Sequence, residues 1–184
     1  MRYLLFDDMS RCTETEVDRM LPLVSTQRRE NALKYKHLFG QWAELKSWLM
    51  LQELMGEDAP NAGQAWHYNQ YGKPYIAGGP EFSVSHCKQG IAVAIDKTPI
   101  GIDIESIREV KPELVHRTMN ATEQRIIGDS ATLFTVFWTR KEAFLKYKGT
   151  GIIDDLQHVL ENTEDVTFET IIKPTYICTI CYRK

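Results

Sequence analysis

The sequence predicts a mixed α+β protein made of two similar halves. The predicted order of strand, helices and strands occurs twice along the 184 residues. A weak internal echo agrees with this, because Trp42 and Leu49 have the same spacing as Trp138 and Leu145. With 43% hydrophobic and 26% charged residues, the composition is that of an ordinary globular protein. It excludes disorder, collagen and coiled coil for the chain as a whole.

The first half, residues 1–98, contains a strand, helices and a hairpin. Thr13-x-x-Glu16 is a capping box and opens a short helix that Pro22 closes. Apolar side chains at helical spacing fill residues 26–55, and Gly56 is a suitable helix end. The other predicted elements of this half are a strand at 2–6, a loop at 58–79 and a hairpin of strands at 82–86 and 91–95.

The second half, residues 99–184, repeats this pattern. Pro112 opens a helix, and the capping box Asn120-x-x-Glu123 opens another that Gly128 ends. The other predicted elements are a strand at 100–104, an amphipathic helix at 133–148 and strands at 166–173 and 176–182.

Charge and cysteine usage exclude several classes of function. The 22 basic and 25 acidic residues give a net charge of −3, which lacks the broad basic surface of a nucleic-acid binder. No apolar run reaches the ~18 residues that a membrane span needs. Cys178 and Cys181 are three apart in a predicted strand and point to opposite faces, which disfavours a zinc or redox pair. We expect a cytoplasmic monomer with free thiols that binds neither nucleic acid nor membranes.

Two acidic clusters are candidates for chemistry. In a strand at 100–105, the period of two places Gly101, Asp103 and Glu105 on one face. The two carboxylates, beside a glycine that leaves room for a cation, suit Mg²⁺ or simply face water. In the helix at 133–148, Glu142 and Lys146 lie one turn apart. They form either an exposed ion pair or the ligands of a metal and an anion.

A third cluster, Ser83-Val84-Ser85-His86, ends a predicted strand at a turn. Its hydroxyls, imidazole and turn amides can bind phosphate oxygens. A more specific alternative is a serine nucleophile with the histidine as its base, although the side chains of adjacent strand residues point to opposite faces. A structural serine beside a surface histidine is equally compatible with these four residues.

The segments 101–105 (Gly-Ile-Asp-Ile-Glu) and 137–146 (Phe-Trp-Thr-Arg-Lys-Glu-Ala-Phe-Leu-Lys) resemble the paired signature of the 4′-phosphopantetheinyl transferases. Residues 72–74 and 82–86 match upstream motifs of the larger, surfactin-synthetase-activating type. The resemblance implies a pseudo-dimer of two α+β lobes with coenzyme A in the cleft between them. It also implies holo-acyl-carrier-protein synthase activity, in which phosphopantetheine passes from coenzyme A to a serine of an apo acyl or peptidyl carrier protein and 3′,5′-ADP is released.

The resemblance also implies roles for individual residues. The Mg²⁺ ligands are Asp103, Glu105 and Glu142; Lys146 and Lys141 contact the pyrophosphate; Ser85 and His86 meet the nucleotide and its 3′-phosphate; Lys73 lies on the adenine side; Arg28 reaches the 3′-phosphate; and Glu123 takes the proton of the attacking serine. Because Glu123 also belongs to a capping box, a metal-bound hydroxide is an alternative base.

The sequence departs from the family pattern near the expected 3′-phosphate subsite, where Asn31 and Glu44 replace polar or basic residues. Two other functions use the same residues. One is a non-catalytic module that binds coenzyme A or a carrier protein, and the other is a metal-dependent nucleotide phosphohydrolase.

Overall fold

The computed structural model describes residues 1–56, 66–151 and 155–184, which contain both helices and strands. The strands are β1 (Arg2–Phe6), β2 (Trp66–Tyr68), β3 (Pro74–Ile76), β4 (Glu81–Cys87), β5 (Gly90–Asp96), β6 (Ile100–Ser106), β7 (Val166–Ile172) and β8 (Tyr176–Arg183). The helices are α1 (Glu14–Met20), α2 (Thr26–Leu33), α3 (Leu38–Met55), α4 (Pro112–Thr118), α5 (Ala121–Ile127) and α6 (Ala131–Lys148). The predicted α+β class is confirmed.

Each half of the chain contains an antiparallel sheet of three strands. The strand order is β1-β5-β4 in the first half and β6-β8-β7 in the second, while β2 and β3 pair separately. The two long helices, α3 and α6, have 18 residues each, and they pack on β5 and on β6 and β8, respectively. Among the described helices, none has the length and apolar character that a membrane span requires.

The stretch 26–55 does not form one continuous helix. Helix α2 ends at Leu33 and α3 begins at Leu38. The turn between them folds Tyr35 back over Gly40, where an added Cβ would lie 2.6 Å from the tyrosine ring. The chain therefore changes direction where a missing side chain leaves space for the ring.

The other helix boundaries follow the local signals. Thr13 accepts the N–H of Glu16 and begins α1, and Asn120 and Glu123 form the complete capping box that begins α5. Of the predicted loop at 58–79, residues 58–65 lie outside the described residues. Within the rest of that stretch, β2 and β3 form a short hairpin that the sequence analysis did not predict.

The isoleucines of β6 lie in an apolar cluster that joins the two sheets. Ile100, Ile102 and Ile104 are fully buried and pack in one cluster with Ala92 and Ala94 of β5. Burying an isoleucine side chain stabilises a fold by about 1.5–3 kcal/mol. This apolar face fixes the orientation of β6 and directs its alternate residues the other way.

The two cysteines of β8 face opposite sides, as their spacing predicts. Cys178 packs in the cluster between the sheets, whereas Cys181 packs with α6 and β7. Both are free thiols, and burial raises the pKa of each to about 12.

Candidate functional site

Strand β6 carries two carboxylates on the face opposite its isoleucines. Asp103 is 3% exposed and Glu105 is half-buried. The burial of Asp103 contradicts the alternative in which this acidic face of the strand meets water. A buried carboxylate needs partners that offset the loss of its hydration.

Helix α6 brings Glu142 and Lys146 to this strand, and Gly101 permits its close approach. A Cβ added at Gly101 would lie 1.9 Å from the carbonyl oxygen of Ala143 in α6. The space beside this glycine is therefore filled by the helix backbone, and it is not left for a cation as the sequence analysis expected.

Two donors converge on one oxygen of Asp103. Its Oδ1 accepts a bond from the Nζ of Lys146 at 2.7 Å and another from the hydroxyl of Ser85 at 2.8 Å. Its Oδ2 is buried and, within the part of the chain that the structure describes, has no hydrogen-bond partner. This carboxylate thus has one fully used oxygen and one that is available to a ligand.

The negative charge of Asp103 affects the pKa of Glu105 and of Glu142. Burial raises the pKa of each glutamate, and the negative charge of Asp103 raises both further. Three carboxylates from a strand and a helix therefore repel one another at one place, and a cation would relieve this repulsion.

The chemistry of these residues fits a magnesium ion. Within the described ranges, no three His, Cys, Asp or Glu side chains are already arranged to hold a metal. However, carboxylate oxygens are the ligands that Mg²⁺ prefers, and the buried Oδ2 of Asp103 lacks any other partner. The carboxylates of Asp103, Glu105 and Glu142 therefore match the ligand preference of Mg²⁺. That they bind magnesium stays a prediction.

A cavity of about 390 Å³ lies beside Lys146, and residues of both halves line it. Gly72, Lys73 and Phe82 line one side, while Glu142 and Lys146 line the other. The Nζ of Lys73 is 3.3 Å from the carbonyl oxygen of Ile100 and 3.6 Å from the carboxylate of Glu81, and burial lowers its pKa. The structure thus places three of the predicted site residues around one cavity.

Ser85 and His86 point in different directions from the end of β4. The hydroxyl of Ser85 is bound to Asp103, whereas His86 is exposed and its ring lies 5.7 Å from that of Phe39. Partial desolvation lowers the pKa of His86, and the nearby cation of Lys146 lowers it further. Both effects favour the neutral form of the imidazole over the charged form.

Arg28 lies in a buried ion pair. Its Nη1 donates to the carboxylate of Glu44 at 2.7 Å, and its guanidinium lies 4.9 Å from the centre of the Trp48 ring. At 6% exposure, its charge is largely balanced within the protein. The sequence analysis noted Glu44 as a departure but did not predict that it pairs with Arg28.

Glu123 and Lys141 form a second buried pair. The Nζ of Lys141 donates to Glu123 at 2.8 Å and to the carbonyl oxygens of Leu156 and Gln157 at 2.8 and 3.3 Å. The same Glu123 oxygen accepts the backbone N–H of Asn120. These contacts connect α5, α6 and the segment after α6. The role of Glu123 as a base and that of Lys141 as a pyrophosphate contact stay predictions.

Ser83 belongs to the predicted cluster at the end of β4, but the family resemblance implies no separate role for it. Its Oγ accepts the N–H of Ile102 at 3.0 Å and so connects the edges of β4 and β6. The period of two along a strand places Ser83 on the same face as Ser85, and this signal was present in the sequence.

A comparison with protein families covers the two segments at 101–105 and 137–146. Residues 99–183 match the sequence model of the 4′-phosphopantetheinyl transferase superfamily. A 4′-phosphopantetheinyl transferase of Bacillus subtilis is 32% identical over 146 residues, which cover 74% of this chain and 65% of that protein.

More distant relatives have the same activity in their names. The 4′-phosphopantetheinyl transferase Sfp of Bacillus subtilis strain 168 is 25% identical over 76% of this chain and 66% of its own length. The 4′-phosphopantetheinyl transferase gsp of Aneurinibacillus migulanus is 25% identical over 70% of this chain and 57% of its own length. This chain thus spans less than two thirds of each of these relatives.

Proposed function

We infer that this chain belongs to the 4′-phosphopantetheinyl transferase superfamily, and we propose that it transfers phosphopantetheine from coenzyme A to a serine of an apo carrier protein. The serine oxygen attacks the phosphorus that carries the pantetheine arm. The bond from this phosphorus to the bridging oxygen breaks, and 3′,5′-ADP leaves with that oxygen. The serine proton passes to a base.

The observation that carries this proposal is the convergence of charge on Asp103. Three carboxylates and the ammonium of Lys146 meet at the contact of β6 with α6, beside a cavity lined by both halves. We propose that Asp103, Glu105 and Glu142 hold Mg²⁺. When bound, the ion would supply positive charge that stabilises the negative charge developing on the departing 3′,5′-ADP.

Cationic side chains at the cavity are suited to the phosphates of coenzyme A. Lys146 offers an ammonium that is partly exposed, and Lys73 offers a second one across the cavity. We place the pyrophosphate near Lys146 and the nucleotide near Lys73, with His86 at the 3′-phosphate. A direct phosphate contact of Ser85 or Lys141 requires that each first release a bond it now makes, and the charge of Arg28 is already paired with Glu44.

We further propose that residues 1–98 and 99–184 are the two lobes of a pseudo-dimer. The three-stranded sheet and the long helix in each half support this division. In this arrangement coenzyme A occupies the cavity between the lobes, and the chain acts as a cytoplasmic monomer.

The test is to incubate the protein with coenzyme A, Mg²⁺ and an apo carrier protein, and to measure the mass of the carrier. The gain of one phosphopantetheine is the expected result. Hydrolysis of coenzyme A without any carrier would identify a phosphohydrolase, and binding without either reaction would identify a non-catalytic module.

The variant Glu142→Gln tests the metal assignment. We expect turnover to fall by about two to four orders of magnitude, because a lost ligand removes several kcal/mol of stabilisation from the leaving phosphate. Glu161→Gln is the matched control, since that carboxylate is 58% exposed. A folded Glu142→Gln protein with turnover like that of the control would overturn the assignment.

A further inference from the structure

We infer that Ser85 is a positioning residue that holds the carboxylate of Asp103 in the orientation required for binding a divalent cation. The inference rests on the proposed function in one respect, namely that Asp103 is a metal ligand. It differs from the role that the family resemblance implies for Ser85, which is a direct contact with the nucleotide.

The first argument comes from the two oxygens of Asp103. Ser85 and Lys146 both donate to Oδ1, at 2.8 and 2.7 Å, and these two bonds restrict rotation of the carboxylate. Oδ2 is buried and has no hydrogen-bond partner among the described residues. A buried oxygen in this state costs free energy unless a ligand satisfies it, so the arrangement is suited to a cation at Oδ2.

The second argument comes from the number of protons on a hydroxyl. Ser85 is 9% exposed, and its single O–H is donated to Asp103. The same proton cannot be donated to a phosphate oxygen at the same time. Ser85 can therefore act on the metal through Asp103 without touching the nucleotide.

The third argument is a comparison with Ser83, which lies on the same face of β4. Ser83 is 5% exposed and accepts the backbone N–H of Ile102, so it joins β4 to β6 without any bond to a carboxylate. This bond already connects the strands where Ser85 lies. The hydroxyl of Ser85 is thus left to orient Asp103.

The experiment compares Ser85→Ala with Ser83→Ala, which removes a bond from the same strand but leaves Asp103 untouched. Mn²⁺ is titrated into each protein and the free ion is measured by electron paramagnetic resonance, without carrier protein. Each titration is run without coenzyme A and again at a concentration that saturates that variant. We expect the Kd for Mn²⁺ to rise about tenfold in Ser85→Ala, as is usual when a hydrogen bond that orients a metal ligand is lost. In Ser83→Ala it should change less than twofold.

Two results would overturn the inference. One is an unchanged Kd for Mn²⁺ in Ser85→Ala, and the other is an equal change in both variants, which would indicate a general effect of loosening the contact between β4 and β6. If Ser85→Ala instead weakens coenzyme A binding in the presence of EDTA and leaves Mn²⁺ affinity intact, Ser85 contacts the nucleotide. Failure of the proposed function has a different signature, because the carrier would then gain no mass whatever the Mn²⁺ titrations give.

Discussion

Substitution of the buried pair of Glu123 and Lys141 distinguishes a structural ion pair from a catalytic base. Loss of a structural pair lowers stability, whereas loss of a base lowers activity. The side chains are 7% and 1% exposed, and Lys141 also donates to two backbone carbonyls. Lys141→Met removes the cation, leaves the glutamate buried with the Asn120 N–H as its described partner, and removes one donor from each of the two carbonyls. Breaking a buried pair in this way costs about 3–5 kcal/mol.

The assay measures the free energy of unfolding of Lys141→Met, Glu123→Gln and the double variant. The proteins are unfolded in urea, and circular dichroism monitors the transition. A loss of about 3 kcal/mol in Lys141→Met corresponds to a fall in Tm of roughly 6–12 °C for a chain of this size. Glu123→Gln keeps an acceptor for Asn120 and should lose less, about 1–3 kcal/mol. The double variant should lose less than the sum of the two, since neither charge is then left alone. Lys88→Met, at an exposed position, is the control and should stay within about 0.5 kcal/mol.

A different pattern would refute the reasoning and favour the base. If Glu123→Gln unfolds like the unmodified protein but kcat/KM falls by about 100-fold or more and loses the acidic limb of its pH profile, Glu123 removes the serine proton. If the role of Glu123 is only structural, the pH profile of kcat/KM should keep its shape. The loss of activity should then be proportional to the fraction of protein that is unfolded.

Three further predictions concern packing, thiol reactivity and substrate recognition. Gly101→Ala should prevent stable folding, because the new Cβ would lie 1.9 Å from the carbonyl oxygen of Ala143; the yield of folded protein and its Tm measure this. At pH 8 iodoacetamide should modify Cys12 long before Cys178, since a pKa of about 12 leaves roughly one thiolate in 10,000 on the buried residue; peptide mass mapping of the native protein would detect the opposite order. Because an internal carboxylate already balances Arg28, kcat/KM for coenzyme A should exceed that for dephospho-coenzyme A by only about 5- to 30-fold, and a ratio above ~1,000 would mean that other basic residues fill the subsite.

Local patterns in the sequence were sufficient to predict the fold class and most element boundaries. The capping box at Asn120 and the alternation along residues 100–104 depend only on neighbours within one turn or a few strand positions. For the same reason the sequence predicted that Asp103 and Glu105 share one face of a strand. The break between Leu33 and Leu38 escaped prediction because the Tyr35 ring packs on Gly40, a contact that helical periodicity does not reveal.

The motifs likewise predicted which residue types belong to the candidate site, but not which of them are already paired. The motifs indicated that Arg28 and Lys141 are cations for phosphate, yet both are buried against a carboxylate. Lys146 is also paired, with Asp103, but it stays partly exposed beside the cavity. Residue identity determines the charge that a side chain can carry. The availability of that charge to a ligand depends on desolvation and on partners distant in sequence, such as Glu44 and Glu123, and packing of the whole chain establishes both.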